Sequence, residues 1–142
     1  MRESRSQNLN ILVIDDEEDI CTIFQELFSE FDITIDTANS GSTGLKKAFQ
    51  NSYDLVFLDF KLGDISGMDV LKVLKNNYPD LRVIMISAYL SKSLIAELEE
   101  LGAEHCMKKP LSIIDIMQTT LEYSDSPQLR ERLKDNRLFR HL

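Results

Sequence analysis

Four stretches of the chain end on side chains that could share one piece of chemistry. Asp59 follows the apolar run Leu55-Val56-Phe57-Leu58, and the pair Asp15-Asp16 follows Asn10-Ile11-Leu12-Val13-Ile14. Ser87 follows Leu81-Arg82-Val83-Ile84-Met85-Ile86, and Lys109 comes just after a brief strand-like stretch from Glu104 to Met107. In an open parallel sheet, ligands and reacting groups sit outside the carboxyl ends of the strands. If all four runs are strands of one such sheet, their ends meet at one rim. Three carboxylates gathered there repel one another unless a cation sits among them. A few oxygen ligands with room for water suit Mg²⁺, with Mn²⁺ as a substitute of similar ligand preference. Lys109 adds a mobile point charge and Ser87 a hydroxyl donor. A cation, a lysine, a hydroxyl and one carboxylate nucleophile together suit a phosphoryl group in transfer. Taken singly, each residue has a plainer reading. Asp15-Asp16 could cap a helix, Asp59 could cap a turn, Ser87 could end a strand, and Lys109 could be a solvated surface lysine. Only their joint placement argues for chemistry.

The elements between these positions follow an alternating order. Asn10–Ile14 reads as a strand, and Ile20, Ile23, Phe24, Leu27, Phe28 and Phe31 recur at helical spacing, with acidic residues in the first turn to suit the helix dipole. Ile33–Thr37 is a short strand, after which Ser40 can cap a helix over Gly41–Gln50. The central strand, Asp54–Leu58, precedes a loop and a helix marked by Met68, Val70, Leu71, Val73 and Leu74, stopped by Asn76-Asn77-Tyr78-Pro79. Leu81–Ile86 is a further strand, and Leu94, Ile95, Leu98 and Leu101 build a helix that Gly102 can terminate. A brief strand, Glu104–Met107, leads to a last helix through Ile113, Ile116, Met117, Thr120 and Leu121. Five strands alternating with five helices, joined by short right-handed crossovers, predict an α/β fold: a doubly wound five-stranded parallel sheet with helices on both faces.

Composition narrows the class. The chain has 142 residues, 43% hydrophobic and 28% charged, which fits one ordinary globular domain with a short appendage. No apolar run approaches membrane-spanning length, and the polar start lacks the apolar segment of a signal peptide. Cys21 and Cys106 form neither a metal spacing nor a disulfide framework and read as reduced thiols, which points to the cytoplasm. His105 and His141 are isolated. A net charge of −8 argues against non-specific nucleic-acid binding. From Tyr123 onward there are five Lys/Arg against three Asp/Glu, a net +2 against −10 for the residues before it. That shift places a boundary near Ser124-Asp125-Ser126-Pro127.

The ordered set Asp15-Asp16, Asp59, Gly67 eight positions on, Ser87-Ala88, Gly102-Ala103 and Lys109-Pro110 resembles the receiver domain of two-component response regulators over residues 9–122. The resemblance implies the flavodoxin-like strand order 2-1-3-4-5 in a three-layer α/β/α arrangement. It implies that Asp59 accepts phosphate from a phosphohistidine donor, either a sensor histidine kinase or a histidine phosphotransfer protein. Asp15, Asp16 and Asp59, with the backbone carbonyl of Lys61, would hold Mg²⁺. Ser87 would bind a phosphoryl oxygen, Lys109 would pair with the phosphoaspartate, and the Lys109–Pro110 bond would be cis. Such a protein is a phosphoaccepting switch rather than an enzyme. Its output would run through the face of the fourth helix, fifth strand and fifth helix, toward a downstream protein or a second copy of the chain. Ile114 and Leu121, off the core stripe of the last helix, would supply apolar contacts there.

Several positions depart from the family pattern. Gly63 stands where receivers usually carry Pro, four after the phosphoacceptor, and is read as a neutral turn substitution. Cys106 stands where an aromatic residue is common, and it is too small to gate a surface pocket by rotating with Ser87. Lys61 and Tyr89, two residues after Asp59 and Ser87, are placed to affect the access of water to a phosphoryl group. The tail over residues 123–142 reads as a solvated helix or disordered end, or the start of a linker, with no output domain in the chain. Three alternatives compete. A flavin electron carrier would need a Gly/Ser/Thr-rich loop where Asp15-Asp16-Glu17-Glu18-Asp19 would repel an anion. A Mg²⁺-dependent Asp-nucleophile phosphatase would carry an acid at Lys61 and a lid. A receiver that binds proteins without being phosphorylated has less need of the intact acidic site.

Overall fold

Alternating apolar residues decide how the sheet is covered. Ile11 and Val13 point to one face and Leu12 and Ile14 to the other, as the two-residue period of a strand requires. The computed structural model describes residues 9–133 and contains five strands: β1 (Leu9–Ile14), β2 (Ile33–Ala38), β3 (Leu55–Asp59), β4 (Arg82–Ser87) and β5 (His105–Lys108). They form one parallel sheet in the order β2-β1-β3-β4-β5, as the resemblance implied. Six helices pack around it: α1 (Glu18–Leu27), α2 (Gly41–Gln50), α3 (Gly67–Asn77), α4 (Lys92–Glu100), α5 (Ile113–Ser124) and α6 (Pro127–Leu133). Phe24, Phe28, Ile116, Met117, Leu129 and Leu133, from α1, α5, α6 and their ends, cover Ile11, Val13, Phe57 and Ile84 on one face. Ala48, Val70, Leu71, Leu74 and Leu98, from α2, α3 and α4, cover Leu12, Ile14, Val56, Leu58 and Met85 on the other. Full burial of each such Leu, Ile or Phe stabilises by about 1.5–3 kcal/mol. No helix among the described residues is long and apolar enough to cross a membrane.

Strands β3, β4 and β5 each run one residue later than the hydrophobic pattern suggests. Strand pairing is a matter of backbone hydrogen bonds, and these continue past the last apolar side chain. The Phe60 N–H donates to the Ile86 carbonyl at 2.8 Å, and the Lys109 N–H to the Ser87 carbonyl at 2.9 Å. Asp59 and Ser87 are therefore the terminal residues of their strands, which fixes their backbones more firmly than a loop position would. The Lys109–Pro110 peptide is cis, as expected.

Three expectations are corrected. Helix α1 stops at Leu27 rather than continuing to Phe31: beyond it the backbone ladder tightens to three-residue turns, with the Ser29 N–H on the Glu26 carbonyl at 3.4 Å and the Phe31 N–H on the Phe28 carbonyl at 3.1 Å. Phe28 and Phe31 keep their inward spacing from within those turns. Leu121 is half-buried and packed against the core rather than off the stripe of α5. The inward face of α5 runs through Ile116, Met117 and Thr120, whose hydroxyl is satisfied by the Ile116 carbonyl at 2.8 Å. The exposed apolar pair is Ile113 and Ile114, in the first turn. Finally, residues 127–133 form a helix, as the tail reading allowed, but one that docks on the core instead of standing free in solvent. Leu129 and Leu133, one turn apart on α6, are buried in the core with Phe28. Arg132 fastens the helix to the α1–β2 corner, with an ion pair to Asp32 at 2.7 Å and its guanidinium over the Phe31 ring. The rest of the tail, residues 134–142 with His141, lies outside the described residues.

Two glycines in the segment after Asp59 make opposite demands. A Cβ on Gly67 would collide with the Asp59 carbonyl oxygen and the Phe60 Cα, whereas one on Gly63 would meet nothing within 4 Å. Gly67→Ala is expected to destabilise the fold by about 1–3 kcal/mol through overpacking. Gly63→Ala is expected to leave stability unchanged or raise it by about 0.4–1 kcal/mol through the unfolded state. Urea unfolding of the two variants against the parent checks this contrast.

Candidate phosphoryl-transfer site

The carboxyl ends of β1, β3, β4 and β5 converge as the topology requires. Asp15 follows β1 directly and is fully buried, its backbone held by an N–H bond to the Ala38 carbonyl at 3.0 Å. Asp59 ends β3 and is 4% exposed. Lys109 reaches across from beyond β5. Its Nζ lies 3.1 Å from Asp15 Oδ2, 3.2 Å from Asp59 Oδ2 and 2.9 Å from Glu17 Oε1. The Lys61 N–H donates to Asp59 Oδ1 at 3.2 Å, and the Glu17 N–H donates to Asp15 Oδ1 at 2.9 Å.

These contacts leave the site short of positive charge. Burial pushes the Asp15 carboxyl up from 3.8 to about 6, against the lowering effect of the Glu17 N–H, and the charge of Asp59 adds to the rise. Burial also raises Asp59, opposed chiefly by Lys109. Burial alone would lower Lys109, but the hydrogen bonds to Glu17 and Asp15 outweigh it and hold the ammonium firmly charged. Asp15 Oδ2 is buried and accepts no hydrogen bond, its one charged partner being the Lys109 ammonium in the ion pair at 3.1 Å. A buried carboxylate oxygen without a donor is costly unless something else meets it. Asp15, Asp16 and Glu17 each bring a carboxylate oxygen within 4.8 Å of one another. Hard oxygen donors, one of them buried and met only by a shared ammonium, fit a hard divalent cation.

A cleft of about 500 Å³ opens over this rim, and Asp16, Glu17, Asp59, Lys61, Ser87, Tyr89 and Lys109 all line it. Ser87 is buried, and its hydroxyl is engaged locally: it donates to the Tyr89 carbonyl at 2.9 Å and accepts the Tyr89 N–H at 3.2 Å. The Tyr89 side chain is 85% exposed at the mouth of the cleft. Seven of the residues singled out from the sequence thus share one site: Asp15, Asp16, Asp59, Lys61, Ser87, Tyr89 and Lys109. Cys106 does not line the cleft. It sits half-buried on β5 among residues of the α2–α3–α4 face, where burial and then the charge of Glu99 raise its thiol to about 11. Glu17 was overlooked in the sequence except as part of an acidic run. Its position next to Asp15-Asp16 was the available signal, but nothing local showed that Lys109 would come to it.

Comparison with known proteins follows this geometry. Residues 11–121 match the family model described as the response regulator receiver domain. The transcriptional regulatory protein ZraR of Escherichia coli strain K12 is 35% identical over 115 residues, covering 81% of this chain but 26% of ZraR. The chain therefore spans about a quarter of that relative's length. Sporulation initiation phosphotransferase F of Bacillus subtilis is 32% identical over 116 residues, covering 82% of this chain and 94% of that protein. Among solved structures, the response regulator TrrA of Thermotoga maritima in complex with Mg²⁺-BeF is 30% identical with a TM-score of 0.72, covering 81% of this chain and 98% of that one.

The raised carboxyl of Asp15 has a stability consequence with a definite sign. Its folded value lies above its unfolded one, so the folded state binds more protons between pH 4 and 6 and loses stability as pH rises through that window. Without divalent cation, Asp15→Asn is expected to be more stable than the parent by about 1–3 kcal/mol at pH 7. The gain should vanish near pH 4. Thermal unfolding across pH in the presence of a chelator measures it.

Proposed function

The chain belongs to the response regulator receiver family, and from that premise we propose that it is a phosphorylation-driven switch with Asp59 as phosphoacceptor. One observation carries the reading: Lys109 Nζ lies within 3.2 Å of the carboxylates of both Asp15 and Asp59 at the mouth of an open cleft. An Asp59 oxygen attacks the phosphorus of a phosphohistidine, the P–O bond forms as the P–N bond breaks, and the electron pair leaves with the imidazole nitrogen, which takes a proton. The buried position of Asp59 on a strand end restricts its carboxylate, so the protein contributes orientation as well as charge. Lys109 exchanges its carboxylate partners for the new phosphoryl oxygens, and Ser87 turns its hydroxyl from the Tyr89 carbonyl toward one of them. Asp15, Asp16 and Asp59, with the Lys61 carbonyl, would hold Mg²⁺ or Mn²⁺, which neutralises the charge developing on the transferring phosphoryl group.

The donor in this reading is a sensor histidine kinase or a histidine phosphotransfer protein, in the cytoplasm. The new charge of about −1.5 to −2 on Asp59 draws Ser87 inward and biases the α4–β5–α5 face. Exposed Ile113 and Ile114 at the start of α5 support that face as the contact for a downstream protein or a second copy. The switching unit is taken as residues 9–122, with the residues after it as a tail that begins by packing α6 on that unit. The chain acts as a phosphoacceptor that promotes only its own phosphorylation and dephosphorylation.

Incubation with a small-molecule phosphodonor and Mg²⁺, followed by intact mass, is expected to show one phosphate adduct that is lost in Asp59→Asn. An adduct that survives Asp59→Asn would place the acceptor elsewhere. Tyr89 stands at the cleft mouth and Lys61 beside it, and the reading gives the tyrosine ring a shielding role. Tyr89→Ala is expected to release phosphate about two- to tenfold faster, a barrier change of order 1 kcal/mol, as followed by decay of the adduct.

A further inference from the structure

We infer that Asp64 is a positioning residue that clasps the segment after the phosphoacceptor to the N-terminus of α2, and so keeps the Lys61 carbonyl ready for a divalent cation; this rests on the reading of the site given above. The first N–H groups of a helix have no partner within the helix. In α2 the Gly41 N–H donates to Asp64 Oδ1 at 2.8 Å and the Ser42 N–H to Asp64 Oδ2 at 3.0 Å. The Thr43 N–H donates to the Ser40 hydroxyl at 3.2 Å, and the helical ladder begins with the Gly44 N–H on the Ser40 carbonyl at 3.0 Å. Ser40 is the local cap. Asp64, 23 residues from Gly41, completes the job from another element. Both oxygens of one carboxylate are thus engaged at the positive end of a helix, an arrangement that favours the ionised form. The N–H groups of Ser42 and Gly41 accordingly hold the Asp64 carboxyl well below the usual carboxylate range.

The clasp matters because the segment has few other restraints around its tip. It is pinned at its start by the Phe60 N–H on the Ile86 carbonyl and at its end by the Gly67 N–H on the Phe60 carbonyl, both at 2.8 Å. Between them the Lys61 N–H is held by Asp59 Oδ1, Leu62 is buried and Ile65 packs on the core, but at the tip Gly63 touches nothing a side chain could lean on. Beneath Asp64 the fit is close: a Cβ on Gly41 would come within 3.1 Å of Ile65 Cβ and Val70 Cγ2. The start of α2 therefore seats directly on the loop, and the carboxylate locks it there. Lys61 lies three residues before this lock and two after Asp59. Residues that orient a metal ligand without touching the metal tune affinity rather than chemistry.

The test uses the full chain, with Mg²⁺ affinity measured by calorimetry and amide exchange at Gly41 and Ser42 followed by NMR. Asp64→Ala is expected to speed exchange at both amides and to weaken Mg²⁺ binding by about tenfold. Its phosphorylation rate should fall at low Mg²⁺ and return to within about twofold of the parent at saturation, the signature of lost binding rather than lost chemistry. Asp64→Asn, which keeps a carbonyl acceptor, should lie between the two and guards against a poorly folding alanine variant. Unchanged Mg²⁺ affinity in both variants, with amide protection lost, would overturn the positioning role of Asp64 while leaving the proposed switch intact. So would a rate deficit that persists at saturating Mg²⁺. A parent chain that binds no Mg²⁺ at all would overturn both.

Discussion

Lys109 places one ammonium group among the carboxylates of Asp15, Asp59 and Glu17, with Asp16 close by, and the arrangement of the sheet's carboxyl rim depends on that contact. One positive charge cannot fully compensate so many acidic neighbours in a partly dehydrated place. The consequence is visible in Asp15, whose carboxyl is driven upward by burial and whose Oδ2 accepts no hydrogen bond. The fold tolerates this local cost because β3 is buried along its whole length and paired on both sides with the nearly buried β1 and β4, which hold the rim in place. A divalent cation would relieve that imbalance by meeting the surplus carboxylate oxygens, whereas a phosphoryl group would add negative charge and compete for Lys109.

Strain of this kind also explains why the surrounding segments are fastened with care. The residue after Asp59 is tied to β4, and Gly67 lets the chain fold back against the Asp59 carbonyl without a side chain in the way. Ser87 is held by the backbone of Tyr89, so its hydroxyl has a definite resting place from which to move. Cys106 lies away from the cleft and packs as a small half-buried side chain, which leaves the strand-four hydroxyl without an aromatic companion.

The strands and the residues at their ends were legible because both signals are local. A short apolar run followed by a polar residue marks a buried strand and its exit, and four such exits identify one rim. The position of Asp59 within β3 rather than beyond it was not legible, because backbone pairing continues where side-chain polarity suggests a stop. Contacts between distant segments were hidden for a different reason. Glu17 gains its role only when Lys109 arrives from 92 positions away, and Asp64 only when the start of α2 is laid beside it. Helix α6 looked solvated because two leucines in a short basic stretch give little periodic signal, and the surface they cover near Phe28 exists only in the folded sheet. The apolar stripe of α5 was misphased at its ends, where Ile113 is exposed and Leu121 packs against the core, while Thr120 was correctly read as inward.

The central claim is that the Asp15 carboxyl is held in an unfavourable state that a divalent cation relieves. Side-chain carboxyl chemical shifts of Asp15, followed by NMR across pH with and without Mg²⁺, read that state directly. The account predicts a midpoint near 6 for Asp15 without the ion and a displacement below the ordinary carboxylate range when Mg²⁺ is present. A midpoint at the ordinary carboxylate value without the ion, or one that Mg²⁺ fails to move, would contradict it.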